Sequence, residues 1–322
     1  MHILFDIESR LDFELAAVRA QHPNLGFDLN DLPKSRSVLQ KIATRRALPD
    51  DSGITPTVIE ANKTSLNQRV PLRLLKQPSN DEPMPVLLWF HGGGYVLGSA
   101  ADNDNRLADI ANRVRCAVLS VDYRLAPEHP YPAAIDDGIA ALNWLQANGA
   151  SHGLDASNVV IGGASAGAGL AAALALKCRD DSLLIPRLQL LIYPMLDDRQ
   201  STPSSHAITD PCLWNRATNE LAWTMYLGEY ANRDDVPAYA APARAGSLNQ
   251  LAPAFIGVGD LDLFLDEDID YAQRLLQSGT PAELHIYTGA IHGFDTLAPD
   301  SALARHINSD VEQALIRAFY PK

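Results

Sequence analysis

"NVVIGGASAGAGLAAALALKCRD", residues 158–180, changes character within a few residues, from a β-branched apolar run to a stretch rich in alanine and leucine. The first part has the composition of a buried strand and the second that of a helix, so the chain passes between them through Gly163-Ala164-Ser165-Ala166-Gly167. Small residues on either side of Ser165 keep so tight a turn from clashing with the neighbouring strand and helix. The serine hydroxyl is then thrust above the sheet. It also faces the N-terminus of the following helix, which favours developing negative charge. Small residues fill turns by chance, so the motif takes its weight from this strand-turn-helix setting.

Working outward, further short apolar runs bounded by turn residues appear: "MPVLLWFH" (84–91), "CAVLSVDY" (116–123), "LQLLIYP" (188–194), "PAFIGVGD" (253–260) and "AELHIYTG" (282–289). Most are continuous rather than alternating, as in parallel strands buried on both faces. Between them lie segments of helical period: "ADNDNRLADIANRVR" (101–115), "PAAIDDGIAALNWLQANG" (132–149) and "DEDIDYAQRLLQSG" (266–279), the last two ending at a glycine where a helix C-cap belongs. Alternation of this kind predicts a right-handed, mostly parallel sheet covered on both sides. Residues 55–78, with polar interruptions and a turn-like Asn62-Lys63, predict an antiparallel pair on one edge. Residues 1 to about 50 read as helical, and between Pro194 and Pro253 the alternation breaks. That stretch carries Trp214, Trp223, Tyr226 and Tyr230, which suit either ordinary core or a lid over a site.

Composition narrows the partners. The chain has 322 residues, 47% hydrophobic and 20% charged, enough for one large domain or a core domain with an appended cap. A formal net charge of -13 repels phosphate backbones and anionic membrane surfaces, so nucleic acid and stable membrane association are not expected. Cys116, Cys178 and Cys212 have no CxxC or metal-ligand spacing and suit a reducing compartment. The first twenty residues, with Asp6 and no basic flank before an apolar core, do not read as a signal peptide, and no apolar run approaches a membrane span. A cytoplasmic location is expected.

A serine that attacks a carbonyl creates an oxyanion, which needs backbone N–H donors already in place. "FHGGGYVLGS" (90–99) puts three glycines directly after a predicted strand, where side chains would only obstruct such donors, and Ala166 after the serine offers another. Among nine histidines, His91 reads as holding the glycine loop and His285 lies within a predicted strand. His292, in "YTGAIHGFD" (287–295), follows the last strand in a glycine-rich loop and suits a general base. For an acid to orient that histidine, "GVGDLDLFLDED" (257–268), just past the strand before it, offers Asp260, Asp262 and Asp266. Asp266 reads as a helix N-cap. Spacing alone does not choose between Asp260 and Asp262.

Five motifs in order, "HGGGYVLGS", "DYRLAPEHPYPAA", "GGASAGAGLA", "GDLDLFLDED" and "IHGF", make the chain from about 54 to 317 resemble the hormone-sensitive-lipase-like family of α/β-hydrolases, in its bacterial esterase and acetyl-hydrolase branch. The resemblance implies an α/β-hydrolase fold: a mostly parallel eight-stranded sheet flanked by helices, in a catalytic domain over residues 51–322. It also implies a helical cap, made from residues 1–50 and an insertion at about 195–240. It further implies Ser165 as nucleophile, Asp262 as acid and His292 as base, with Gly93, Gly94 and Ala166 as oxyanion donors. The activity implied is that of a serine carboxylesterase acting on short-to-medium acyl esters through an acyl-enzyme, with a small-molecule ester as partner and no metal or organic cofactor. A homodimer is compatible with it. There are two departures from the family pattern: Ala164 replaces the usual acidic residue, and the common Asp-Pro-Leu reads Asp262-Leu263-Phe264. Amide or formamide hydrolysis would use the same machinery. A non-catalytic small-molecule binding protein is the rival from another class, although such proteins usually lose a triad member and this chain keeps all three.

Overall fold

Runs of valine, leucine and isoleucine that can be buried on both faces assemble, in the computed structural model, into the middle of one eight-stranded sheet. The structure describes residues 7–21, 27–45, 52–62, 69–78, 82–211 and 213–321. The strands are β1 Thr57–Asn62, β2 Arg69–Leu75, β3 Met84–Phe90, β4 Ala117–Val121, β5 Leu154–Ala164, β6 Gln189–Ile192, β7 Ala254–Gly259 and β8 Ala282–Tyr287. Their spatial order is β1-β2-β4-β3-β5-β6-β7-β8. Only β2 runs against its neighbours; all pairs from β4 to β8 are parallel. The expected antiparallel edge pair is therefore present, and the turn expected from Asn62-Lys63 onward lies outside the described residues.

The helices are α1 Ile7–Arg10, α2 Phe13–Gln21, α3 Leu32–Arg45, α4 Asp104–Val114, α5 Ala133–Asn148, α6 Ala166–Asp180, α7 Pro203–Ala207, α8 Arg216–Leu227, α9 Leu265–Gln277, α10 Phe294–Leu297 and α11 Ala302–Phe319. α4 and α11 touch each other while packing on the sheet, as do α5 and α6, so each pair covers one face. α6 is buried along almost its whole length, which its alanines and glycines allow: a Cβ on Gly167 would sit 2.1 Å from the Phe90 carbonyl oxygen. β5 begins at Leu154 rather than Asn158, because Leu154 and Asp155 pair with Met84 and Pro85 before the register shifts. Asp266 is not the N-cap of α9: Phe264 occupies that place, and the Asp266 carboxylate instead accepts the Ser204 N–H at 2.7 Å.

The N-terminal segment and the insertion after β6 meet. α8 touches the short turn Leu29–Asp31 that precedes α3. Arg36 of α3 donates to the carbonyl oxygens of Val96 and Ala126, both at 2.9 Å, and forms an ion pair with Glu128 at 2.7 Å. Trp223 and Tyr226 are core residues, with Tyr226 stacked on Tyr95 at 3.8 Å and Tyr131 edge-on to both Tyr226 and Tyr230. Trp214 lies against Gly94 of the glycine loop.

Candidate active site

Parallel strands deliver their carboxyl ends to one edge of the sheet, and the motifs meet there. Ser165, between β5 and α6, has φ 57 and ψ -122, a conformation that side chains rarely adopt. The surrounding backbone fixes it: its N–H donates to Ile192 O at 2.8 Å, and its carbonyl accepts from Ala168, Gly169 and Met195 at 3.0, 3.0 and 3.1 Å. Gly163 is as constrained as Gly167, since a Cβ there would lie 2.4 Å from Gly167 backbone.

Ser165 Oγ lies 2.9 Å from His292 Nε2, and His292 Nδ1 lies 2.8 Å from Asp262 Oδ2. The Asp262 carboxylate is fully enclosed, and its other oxygen accepts the Phe264 N–H at 3.0 Å. An ionised carboxylate can only accept, so Nδ1 carries the proton and Nε2 is left as acceptor toward the serine. Phe264 and Tyr193 stand edge-on to the imidazole at 5.1 and 4.8 Å. The departure from Asp-Pro-Leu thus supplies an aromatic wall for His292. Ala164 is a buried methyl group. Asp260 takes no part in this array: it accepts the Gly289 N–H at 2.6 Å and pairs with Arg10 at 2.8 Å.

The glycine loop runs directly beside the serine, where a Cβ on Gly92 would sit 3.3 Å from Ser165 Cβ. Gly93, at φ 118, accepts the N–H groups of Val96 and Leu97 on its carbonyl at 3.1 and 2.9 Å. Gly94 adopts φ 62 against the Trp214 ring. Ala166 is the first residue of α6, so its N–H has no intrahelical acceptor. His91 is buried, stacks on Tyr123 at 4.2 Å and lies 2.8 Å from the Gly92 carbonyl oxygen through Nδ1. Burial pushes its pKa down, which keeps it neutral as a holder of the loop.

Sequence reading did not single out the network behind His292. Asp295 pairs with Arg106 of α4 at 2.5 Å and accepts the Tyr193 hydroxyl at 2.7 Å, so it ties α4 to the loop after β6. The one local signal is the aspartate that follows His292-Gly293-Phe294. A polar cavity of about 660 Å³, lined by Asp197, Arg199, Arg244, Glu267 and Arg274 among others, includes none of Ser165, Asp262 and His292 in its lining. Among the described residues, no cluster of three or more His, Cys, Asp or Glu is placed to hold a metal ion. No helix among them is long and apolar enough to cross a membrane.

Residues 87–296 match the family model described as alpha/beta hydrolase fold. The chain is 39% identical over 210 residues to Esterase LipI of Mycobacterium tuberculosis, a match that covers 65% of each protein. It is 36% identical over 231 residues to Carboxylesterase NlhH of the same species, covering 71% of this chain and 72% of that one. Among solved structures, Bacterial Heroin Esterase superposes with a TM-score of 0.92 at 36% identity, covering 97% of this chain and 99% of the other. With this geometry and a family match over most of its length, the chain belongs to the α/β-hydrolase fold family, in the hormone-sensitive-lipase-like group whose motifs it carries.

Proposed function

We propose that this protein is a serine carboxylesterase that hydrolyses short-to-medium acyl esters through an acyl-enzyme. The reading rests above all on the relay from Ser165 Oγ to His292 Nε2 at 2.9 Å and from His292 Nδ1 to Asp262 at 2.8 Å. In acylation, His292 Nε2 takes the proton from Ser165 Oγ as that oxygen bonds to the ester carbonyl carbon. The resulting oxyanion is held by the N–H groups of Gly93, Gly94 and Ala166. His292 then returns the proton to the alkoxy oxygen as its bond to carbon breaks, which frees the alcohol. Water repeats the sequence on acyl-Ser165, with His292 again as base, and releases the carboxylic acid. Asp262 keeps the imidazole in the tautomer that can accept and stabilises the imidazolium that forms.

Residues 1–50 and the insertion at about 195–240 act as a cap over this site, a role supported by the contact of α8 with the N-terminal turn and by Trp214 lying over Gly94. A reducing, cytoplasmic setting is inferred from Cys116 and Cys178, buried free thiols that burial pushes up to about 12. A fluorophosphonate probe should label the wild type at Ser165 and leave Ser165→Ala unlabelled. Parallel assays on p-nitrophenyl butyrate and its anilide should favour the ester. An unlabelled wild type would mark a non-catalytic binding protein, and preference for the anilide would mark an amidase.

A further inference from the structure

Three aromatic rings surround the His292 imidazole, and they differ in what else they meet. Tyr193 and Phe264 are buried and belong to its packing. Trp214 is half-buried, with its ring centroid 6.4 Å from that of His292 at 39°. Its Nε1–H donates to Asn219 Oδ1 at 3.0 Å, and buried Asn219 donates in turn to Gln200 Oε1 at 3.1 Å. The six-membered edge of the same indole lies against Gly94, where a Cβ would come within 2.3 Å of Cη2 and 2.7 Å of Cζ2. One anchored plane therefore borders both the histidine and the third glycine.

The proposed reaction makes this placement specific to one half of the substrate. The ester carbonyl oxygen must face the glycine-loop amides, and the alkoxy oxygen must come within hydrogen-bond reach of His292 Nε2, which protonates it. These two oxygens define the edge of the carboxyl group that faces Gly94 and His292. The acyl chain is the substituent opposite that edge. A plane that borders both residues flanks the alkoxy group.

We infer that Trp214 determines specificity for the alcohol portion, and that the site favours flat aromatic alcohols, the phenol class, over saturated rings of similar bulk. A flat ring can stack on the indole, whereas a puckered ring cannot match an indole held in place by Asn219. The inference rests on the esterase reading, and the experiment separates the two.

Phenyl acetate and cyclohexyl acetate share an acyl group and differ in the planarity of the alcohol. Release of the alcohol is the first irreversible step, so kcat/KM excludes deacylation of the common acetyl-enzyme. The intrinsic reactivities of the two esters cancel when variants are compared. Trp214→Ala should lower the phenyl-to-cyclohexyl ratio of kcat/KM about 3- to 10-fold, the range expected for one lost stacking contact. Trp214→Phe should retain most of the ratio, and phenyl esters of lengthening acyl chains should keep their relative rates in every variant. An equal fall for both alcohols in folded Trp214→Ala and Trp214→Phe would overturn the inference and leave Trp214 as a support for Gly94. A changed acyl-length ranking would place the indole on the acyl side and overturn it as well. If wild-type Ser165 takes no fluorophosphonate label, the esterase reading itself has failed; labelling with an unaltered ratio sinks the inference alone.

Discussion

Asp260 and Asp262, separated by one leucine, take different partners: Asp262 lies 2.8 Å from His292 Nδ1, while Asp260 accepts the Gly289 N–H and pairs with Arg10. Asp262→Asn should keep the fold and cut turnover by up to about 10⁴-fold, because an amide can hold the imidazole in the wrong tautomer. Asp260→Asn weakens an anchor of the loop that leads to His292 and should cost about 1 kcal/mol of stability, with a much smaller loss of turnover. Steady-state rates set beside urea unfolding of both variants check the ranking. The reverse order would move the acid two residues upstream.

That distinction was not legible in the sequence, because both aspartates sit just past β7 and their difference is made by remote partners. The sheet was legible, since runs such as Val86–Phe90 and Ala254–Gly259 are apolar along their whole length and are buried on both faces. The start of β5 at Leu154 was hidden by the polar Asp155 and Ser157, which join the strand only because β3 pairs with its first residues. Ser165, the glycine loop and His292 announce themselves through composition, as turns that must stay small and a histidine in a glycine-rich loop. Arg106, Asp295 and Tyr193 lie far apart in the chain and carry no periodic signal. Likewise, Trp223 and Tyr226 cannot be told from Trp214 by residue type, although Tyr95 takes both into the core.

The two site glycines answer to different neighbours. A Cβ on Gly93 would lie 2.2 Å from the Leu97 backbone oxygen, which cannot swing aside, whereas a Cβ on Gly94 meets the Trp214 side chain. Gly93→Ala should therefore lower both thermal stability and turnover. Gly94→Ala keeps its N–H but sets a methyl group within 2.3 Å of the anchored Trp214 ring at φ 62, so it should also cost stability and should lower kcat by re-aiming the amide that the proposed mechanism uses. Full activity in a folded Gly94→Ala protein would mean that the loop takes a Cβ at this position without re-aiming its amides.

Behind His292, the Arg106 to Asp295 pair is almost fully enclosed, with side-chain exposures of 15% and 1%. Asp295→Ala should destabilise the fold by about 3–5 kcal/mol, because it leaves a buried guanidinium without its counter-charge. Replacing both residues by apolar ones of similar size, Arg106→Met with Asp295→Leu, should cost much less than the two single changes together. Chemical denaturation of the single and double variants measures the coupling. Additive losses would mean that the pair contributes no direct interaction.

Asp268 gives the clearest pH signature. It lies on α9, fully buried, and neither carboxyl oxygen has a hydrogen-bond partner among the described residues. Burial, reinforced by the nearby Glu267 and Asp262, pushes its pKa well above the ordinary carboxylate value of 3.8. Glu267 is pushed up too, mainly by burial, but it differs in being used: its Oε1 accepts the N–H groups of Leu196 and Asp197. It thereby steadies the segment whose Met195 N–H binds the Ser165 carbonyl. At Asp268 the native state keeps a proton that the unfolded chain has released once the pH exceeds about 4. The stability from that raised pKa is fully present below about pH 4 and is lost as pH rises toward the folded value. Asp268→Asn removes the linkage. The variant's stability relative to wild type should therefore be lowest near pH 3.5 and improve by up to about 1.4 kcal/mol per pH unit above 4, until the folded carboxyl ionises. Urea midpoints measured from pH 3.5 to 7.5 would reveal that slope, and a pH-independent difference would mean that Asp268 is charged in the folded protein as it is in the unfolded one.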